Sequence, residues 1–288
     1  MTLLLAITKV EAQLPAYVPT LNLEGFYSFS GTILDNSGND HNNADYNTIS
    51  TTDRFDTMMR ALYFSGTGNE YLHYGDVNEF EPYTGSFSFW IYPEELGDNS
   101  SELIKPIISK WGPPGEVINS SYMIYMDGTN LCFVISDAAI TDTLTTPLSN
   151  ILVNQWNHVV ITVRYGFINF YINSILVSET SSPISSFNIT DSEFKVGGWY
   201  QDVNPNFSSF RGKIDDLGIW SRELEACEVE ALYNGIDCAT SGIPTLNKPE
   251  RTLLKITDFL GRETDYKPNT LLIYMFSDGS MEKVCIIE

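Results

Sequence analysis

Apolar and polar residues alternate with a period of two along most of the chain from Glu24 to Trp220, the repeat of a half-buried β-strand. In Ser86–Ile91 the alternation puts Phe87 and Phe89 on one face, and Trp156–Val163 is a β-branched run of the kind that packs well on a pleated surface. The same pattern predicts strands over Glu24–Ser30, Ala61–Ser65, Tyr122–Asp127, Asn130–Ser136, Phe167–Asn173, Ser174–Glu179, Glu193–Gly197 and Lys213–Trp220. Asp127-Gly128-Thr129-Asn130 and Tyr165-Gly166 sit between apolar runs as hairpin turns. Trp111-Gly112-Pro113-Pro114-Gly115 must be a loop, because proline lacks the ladder donor and glycine packs nothing. Many short strands bounded by turns predict an all-β fold, a jelly-roll sandwich of two antiparallel sheets.

One segment has the helical period instead. Ser221 is a plausible N-cap, Leu224, Glu228 and Leu232 recur every four residues, and Val229, Leu232 and Tyr233 form an apolar stripe. A short helix is therefore expected up to Tyr233, ended by Asn234-Gly235, which tolerate a left-handed backbone. Residues 239–250 read as a linker, and strands at Leu253–Asp258, Leu271–Phe276 and Lys283–Ile287 make a small β-rich unit over residues 251–288. The main domain is expected to span residues 20–238.

The charge narrows the partners. The 288 residues include 16 basic and 37 acidic side chains, net −21, and residues 1–244 carry nearly all of the excess. Such a surface repels phosphate backbones and anionic lipid, which argues against nucleic-acid binding. No stretch approaches the roughly 20 apolar residues of a transmembrane helix. The short apolar run Leu3–Ile7 followed by Val10-Glu11-Ala12 predicts a secretory signal peptide over residues 1–12, truncated at its start, against the alternative of a frayed terminus.

The four cysteines form no C-x-x-C pair and no zinc-site spacing. In an exported chain Cys227 and Cys238 are near enough to close a small disulfide loop worth about 3 kcal/mol; otherwise all four are ordinary thiols. Cys132 lies in a strand-like apolar run, where a buried free thiol is unremarkable.

The order of several motifs resembles a known family. Gly25-Phe26-Tyr27-Ser28-Phe29-Ser30-Gly31 with Asp35-Asn36-Ser37-Gly38-Asn39 is similar to the opening of laminin-G-like, concanavalin A-like jelly-roll domains of secreted bacterial proteins. Leu62–Gly66 with Glu70-Tyr71-Leu72, Phe87–Ile91, Ile108–Trp111, Trp156–Val160, Phe170–Asn173 and Phe210–Trp220 follow in the family's order. Glu70 stands where the family commonly has aspartate, and Asp40-His41-Asn42-Asn43 where it has a glycine-asparagine repeat, so the ligand set of that loop is not carried over in detail. The tail, with Leu254–Glu263, Ser277-Asp278-Gly279 and Lys283-Val284, resembles the C-terminal sorting domains of type IX secretion; the alternative is an extra hairpin on the sandwich.

Two candidate sites follow. Asp35, Ser37, Asn39 and Asp40 gather oxygen donors in one loop, as Ca²⁺ requires. The resemblance implies that Asp215, at the last strand of the sandwich, joins Asp35 on a shared ion. The alternative is a solvated Asx turn. For a glycan, Trp111 and Trp199 beside Tyr200 are aromatics near turns that can present a flat face, and Gln201, Asp202 and Asn206 supply hydrogen bonds to hydroxyls. Trp90, Trp156 and Trp220 are expected in the core, and His158 at a strand surface. The glycosidase pattern E-x-D-x-x-E is absent, and Glu79 and Glu81 before Pro82 read as a loop. The expected function is a secreted or cell-surface, non-enzymatic module that binds carbohydrate or a cell-surface ligand. The alternatives are a protein–protein adhesion domain and a glycoside hydrolase-like enzyme. The sequence leaves the oligomeric state open.

Overall fold

The computed structural model describes residues 14–42, 44–68, 70–97, 104–113, 115–199, 209–238, 253–258, 262–264, 272–276 and 281–284. The chain divides into two compact units, residues 1–238 and 239–288. The expected signal peptide and the expected linker lie outside the described residues.

Strands of the first unit begin with β1 (Leu23–Tyr27), β2 (Ala44–Tyr46), β3 (Ile49–Thr51), β4 (Ala61–Ser65) and β5 (Tyr71–His73). β6 (Thr84–Pro93), β7 (Lys105–Lys110), β8 (Tyr122–Met126), β9 (Asn130–Ser136) and β10 (Thr141–Pro147) follow. The series closes with β11 (Asn157–Arg164), β12 (Phe167–Ile172), β13 (Ile175–Ser181), β14 (Phe194–Val196), β15 (Arg211–Trp220) and the helix α1 (Ala226–Asn234). One sheet runs β13-β12-β11-β6-β15-β4-β3 with β1 added beside β15, and the other β10-β9-β8-β7-β14-β5-β2. Every pairing in them is antiparallel. The jelly-roll expectation holds: this is a two-sheet sandwich with one helix.

Alternation decides what lies between the sheets. Phe87, Phe89 and Ile91 of β6 and Val159, Ile161 and Val163 of β11 face Tyr122, Ile124 and Met126 of β8 and Leu131, Phe133 and Ile135 of β9, all in one buried cluster. The odd neighbours of these residues, Trp90 on β6 and Met123 and Tyr125 on β8, consequently point out of the sandwich. The β11–β12 turn has φ of +48° at Tyr165 and +83° at Gly166, the paired left-handed geometry of a tight hairpin.

Several strands differ from the pattern-based expectation. β10 is Thr-rich and carries buried Leu144 and Thr146 between exposed neighbours, a weak signal in sequence. β7 is buried along its length because it is central, and its lysines survive there only by pairing, Lys105 with Glu95 and Lys110 with Asp76. The helix begins at Ala226, later than Ser221 suggested. Ser221 is already engaged, its N–H with the carbonyl of Asn22 (2.9 Å) and its hydroxyl with Glu24. The first turn is held instead by Glu228, which accepts from the Glu225 N–H at 2.8 Å. Gly235 ends the helix with φ +71°, as expected.

In the second unit β16 (Leu253–Thr257), β17 (Leu272–Phe276) and β18 (Met281–Val284) form a three-stranded antiparallel sheet. After β16 the Asp258 carboxylate accepts from both the N–H (3.0 Å) and the Nε (2.8 Å) of Arg262.

Candidate functional site

The acidic turn after β1 is held together by donors from its own chain. Asp35 accepts from the N–H groups of Phe26 (3.1 Å), Ser37 (2.8 Å) and His41 (3.1 Å) and from the Ser37 hydroxyl (2.8 Å). Asn39 turns its amide NH₂ to the carbonyls of Leu23 and Glu24, at 2.8 and 3.0 Å, and Asp40 is exposed. Asp215 is not in this turn; its carboxylate meets the guanidinium of Arg54 at 3.2 Å. A carboxylate occupied by four N–H and O–H donors and another occupied by a guanidinium do not fit a Ca²⁺ shared between Asp35 and Asp215. Among the described residues no three His, Cys, Asp or Glu side chains converge on a metal position.

Trp111 and Trp199, singled out separately as aromatics near turns, lie together in the structure. Trp111, at the end of β7, and Trp199, after β14, lie half-buried on the outer face of the second sheet, packed with Tyr125 over Ile104, Met123 and Val134. The Trp199 indole N–H donates to the carbonyls of Trp111 (3.2 Å) and Gly112 (3.0 Å), which fixes the two loops against each other. Glycine at 112 lets this loop pack closely on Asn119, whose carbonyl oxygen would sit 2.8 Å from a Cβ there. Beside the pair is an open groove of about 360 Å³ lined by Trp111, Glu116, Asn119, Asp191, Glu193 and Lys195 among others. Tyr200, Gln201, Asp202 and Asn206 lie outside the described residues.

One buried cation shapes the edge of that groove. Lys110 is fully buried, and its ammonium donates to Asp76 (2.7 Å) and to the carbonyl of Ser192 (2.6 Å), with Glu81 at 3.4 Å. Glu81 also accepts from the hydroxyl (2.8 Å) and N–H (3.2 Å) of Thr190. Burial raises the Glu81 carboxyl above its usual value despite these partners. Its oxygens are committed to structure, so Glu81 is no free acid beside Glu79.

A second aromatic site forms on the opposite outer face, where the sequence pattern gave core positions. Trp90 and Trp156 do not enter the space between the sheets; they line a groove of about 630 Å³ with Tyr17, Arg54, Phe55 and Tyr233. Trp90 stacks on Tyr233 with centroids 5.6 Å apart and planes at 14°, and Trp156 meets Tyr92 edge-on at 5.8 Å. The Arg54 guanidinium lies 4.6 Å from the Trp90 ring and 4.7 Å from that of Phe55. It is held by Asp215 and Asp216, at 3.2 and 2.8 Å. Successive strand residues normally face opposite ways, but the β15–β6 register shifts between Asp215 and Gly218 and Asp216 takes φ +44°, so both carboxylates reach one guanidinium. Burial, with the neighbouring Asp216 charge, pushes the Asp215 carboxyl well up, against the pull of Arg54.

His158 corrects another expectation, for it is 1 % exposed rather than at the surface. It lies under Trp90 and near Tyr233, at 5.0 and 6.0 Å, with Ser88 Oγ 2.9 Å from Nε2. Helix α1, which carries Tyr233, is what covers it. Burial first, and the charge of Arg54 second, push its imidazole down to about 3. The alternation of Trp90 with Phe89 and Ile91 could have placed the indole outside; nothing in the sequence marked Arg54.

Comparisons with known proteins give one family and many similar folds. The Laminin_G_3 profile, described as the concanavalin A-like lectin/glucanases superfamily, matches residues 65–230. No curated protein matches the sequence. Domain 4 of AbnA, a GH43 extracellular arabinanase from Geobacillus stearothermophilus solved in complex with arabinotriose, aligns at a TM-score of 0.57 and 18% identity, over 74% of this chain and 98% of that one. The binding domain of Paraclostridial Mosquitocidal Protein 1 aligns at 0.60 and 21%, over 85% and 56%. The ligand-binding domain of botulinum neurotoxin serotype D, solved with N-acetylneuraminic acid, aligns at 0.57 and 18%, over 93% and 62%. The chain thus spans less than two thirds of both toxin domains.

Proposed function

Because the chain belongs to the concanavalin A-like lectin/glucanases superfamily, we propose that it is a non-catalytic, extracellular module that binds carbohydrate on the loop side of its second sheet. The observation that carries this reading is the Trp111–Trp199 pair, two half-buried indoles, the second hydrogen-bonded to the loop of the first, beside a groove with carboxylate, amide and ammonium groups. Sugar recognition uses that combination: flat apolar faces for the C–H side of a ring and a few fixed polar groups for its hydroxyls. Similarity in fold to domains solved with arabinotriose and with N-acetylneuraminic acid supports the ligand class.

Export is supported by the Cys227–Cys238 disulfide, a bond that persists in oxidising compartments. The tail's three-stranded unit suits a sorting address of the type IX kind, and intact-mass analysis of secreted protein would reveal whether it is removed. Calcium has no part in this reading, since the Asp35 oxygens are taken. The decisive experiment is a glycan array with wild type and Trp111→Ala. Retention on a polysaccharide that the substitution abolishes, at an unchanged melting temperature, supports the reading. Binding to cells or matrix without any sugar on the array replaces it with the adhesion role, for which exposed Phe55, Met58 and Met59 offer an apolar contact.

A further inference from the structure

We propose that the groove between Trp90, Trp156 and Arg54 is a second saccharide site, on the face opposite the Trp111–Trp199 pair, and that it selects neutral sugars over acidic ones. The inference rests on the reading of the domain as a glycan binder and adds a site and a specificity to it. At about 630 Å³ the groove falls within the range of small-ligand pockets, roughly 300–1,000 Å³. Its walls are already positioned: Trp90 contacts both the Tyr233 ring and the Arg54 guanidinium, and Trp156 is braced by Tyr92. Rings fixed before binding lose little freedom when a ligand arrives.

The charge arrangement sets the specificity. Arg54 is the cation lining the groove, and its charge faces two carboxylates, Asp215 and Asp216, on the protein side. Among the described residues lining the groove no second cation is present to pair with a uronate or sialate, and the net charge of −21 repels acidic polymers at longer range. The guanidinium also fills the cation position over Trp90 and Phe55, so a ligand ammonium would find it taken. What the site still offers is apolar ring surface, most openly Phe55 at 72% exposed, with the hydroxyl of Tyr233, the hydroxyl of Tyr17 beside Arg54, and the amide of Asn234, whose NH₂ donates to Glu230 at 3.4 Å. A neutral pyranose or furanose, apolar on one face and hydroxylated at its rim, matches that set.

The test is calorimetric titration of the whole chain with neutral trisaccharides, arabinotriose and cellotriose among an array-selected set, and with trigalacturonate. Variants are Trp156→Ala, Phe55→Ala and Trp111→Ala, each first checked for an unchanged melting temperature. The proposal expects a neutral sugar whose affinity falls about tenfold with Trp156→Ala or Phe55→Ala, persists in Trp111→Ala, and exceeds that of trigalacturonate. Sugar binding lost with Trp111→Ala but unchanged by both groove variants overturns the second site and leaves the glycan-binding reading standing. Tighter binding of trigalacturonate at the groove overturns the selectivity. If the array and the titrations find no sugar, both fall.

Discussion

Asp215 and Asp216 are adjacent on β15, yet both carboxylates grip the same nitrogen of Arg54, at 3.2 and 2.8 Å. The bulge that allows this converts a strand into a two-toothed clamp, and it binds the β3–β4 loop to the centre of the sheet.

Removing the clamped cation strands two buried carboxylates. Arg54→Ala is expected to cost about 3–5 kcal/mol at pH 7, as breaking buried ion pairs does. The loss should shrink in acid, where the carboxyls protonate, and the triple change Arg54→Met, Asp215→Asn, Asp216→Asn should recover much of it. Urea denaturation at pH 7 and pH 5 measures both effects; equal losses at the two pH values would contradict the account.

His158 makes the fold acid-sensitive. Its folded pKa, pushed down to about 3, lies below the roughly 6.5 of an unfolded histidine, so the unfolded chain binds the extra proton. Its contribution is complete above pH 6.5 and is lost as the pH falls toward 3, at up to about 1.4 kcal/mol per pH unit. Stability curves for wild type and His158→Gln should converge between pH 6.5 and 5; parallel curves would exclude the histidine as the cause.

Reduction of Cys227–Cys238 opens a link of sequence separation 11 from α1 to the end of the first unit. Dithiothreitol or Cys238→Ser should lower stability by about 2–3 kcal/mol. Thermal melts of the reduced and oxidised protein decide it, and identical melting temperatures would mean that the loop is held by packing alone.

A chelator should change nothing. Since the Asp35 carboxylate is engaged by N–H and O–H donors, EDTA is expected to leave the melting temperature in place, whereas Asp35→Ala should cost about 1–3 kcal/mol with or without Ca²⁺. A fall on chelation, reversed by Ca²⁺, would restore the ion to the turn.

Much of this molecule is legible in its sequence because a sandwich writes itself in period two: Phe87, Phe89, Val159 and Ile161 announce their face by spacing alone. The same rule marks Trp90 as outward-facing, but the general tendency of tryptophan to be buried pulled the reading toward the core. Spacing also brought Trp111 and Trp199 forward as aromatics near turns, though not the hydrogen bonds that join them. Arg54 was illegible, because its role depends on a bulge on a strand more than 150 residues away, and register irregularities leave no mark in composition. Asp35 and Asp215 drew attention in the sequence as candidate ion ligands. Their partners differ from those expected because local N–H donors and a guanidinium satisfy them more cheaply than a desolvated ion would.

The fully buried Lys110 has a consequence for the opposite side of the molecule from Arg54. A single ammonium tethers the segment near Asp76, the 3₁₀ turn leading to Glu81 and the stretch around Ser192, and that last stretch borders the groove beside Trp111. The outline of that mouth is therefore set by an internal ion instead of by its own rim, so a change no ligand can touch, Lys110→Met for one, would reshape recognition from within.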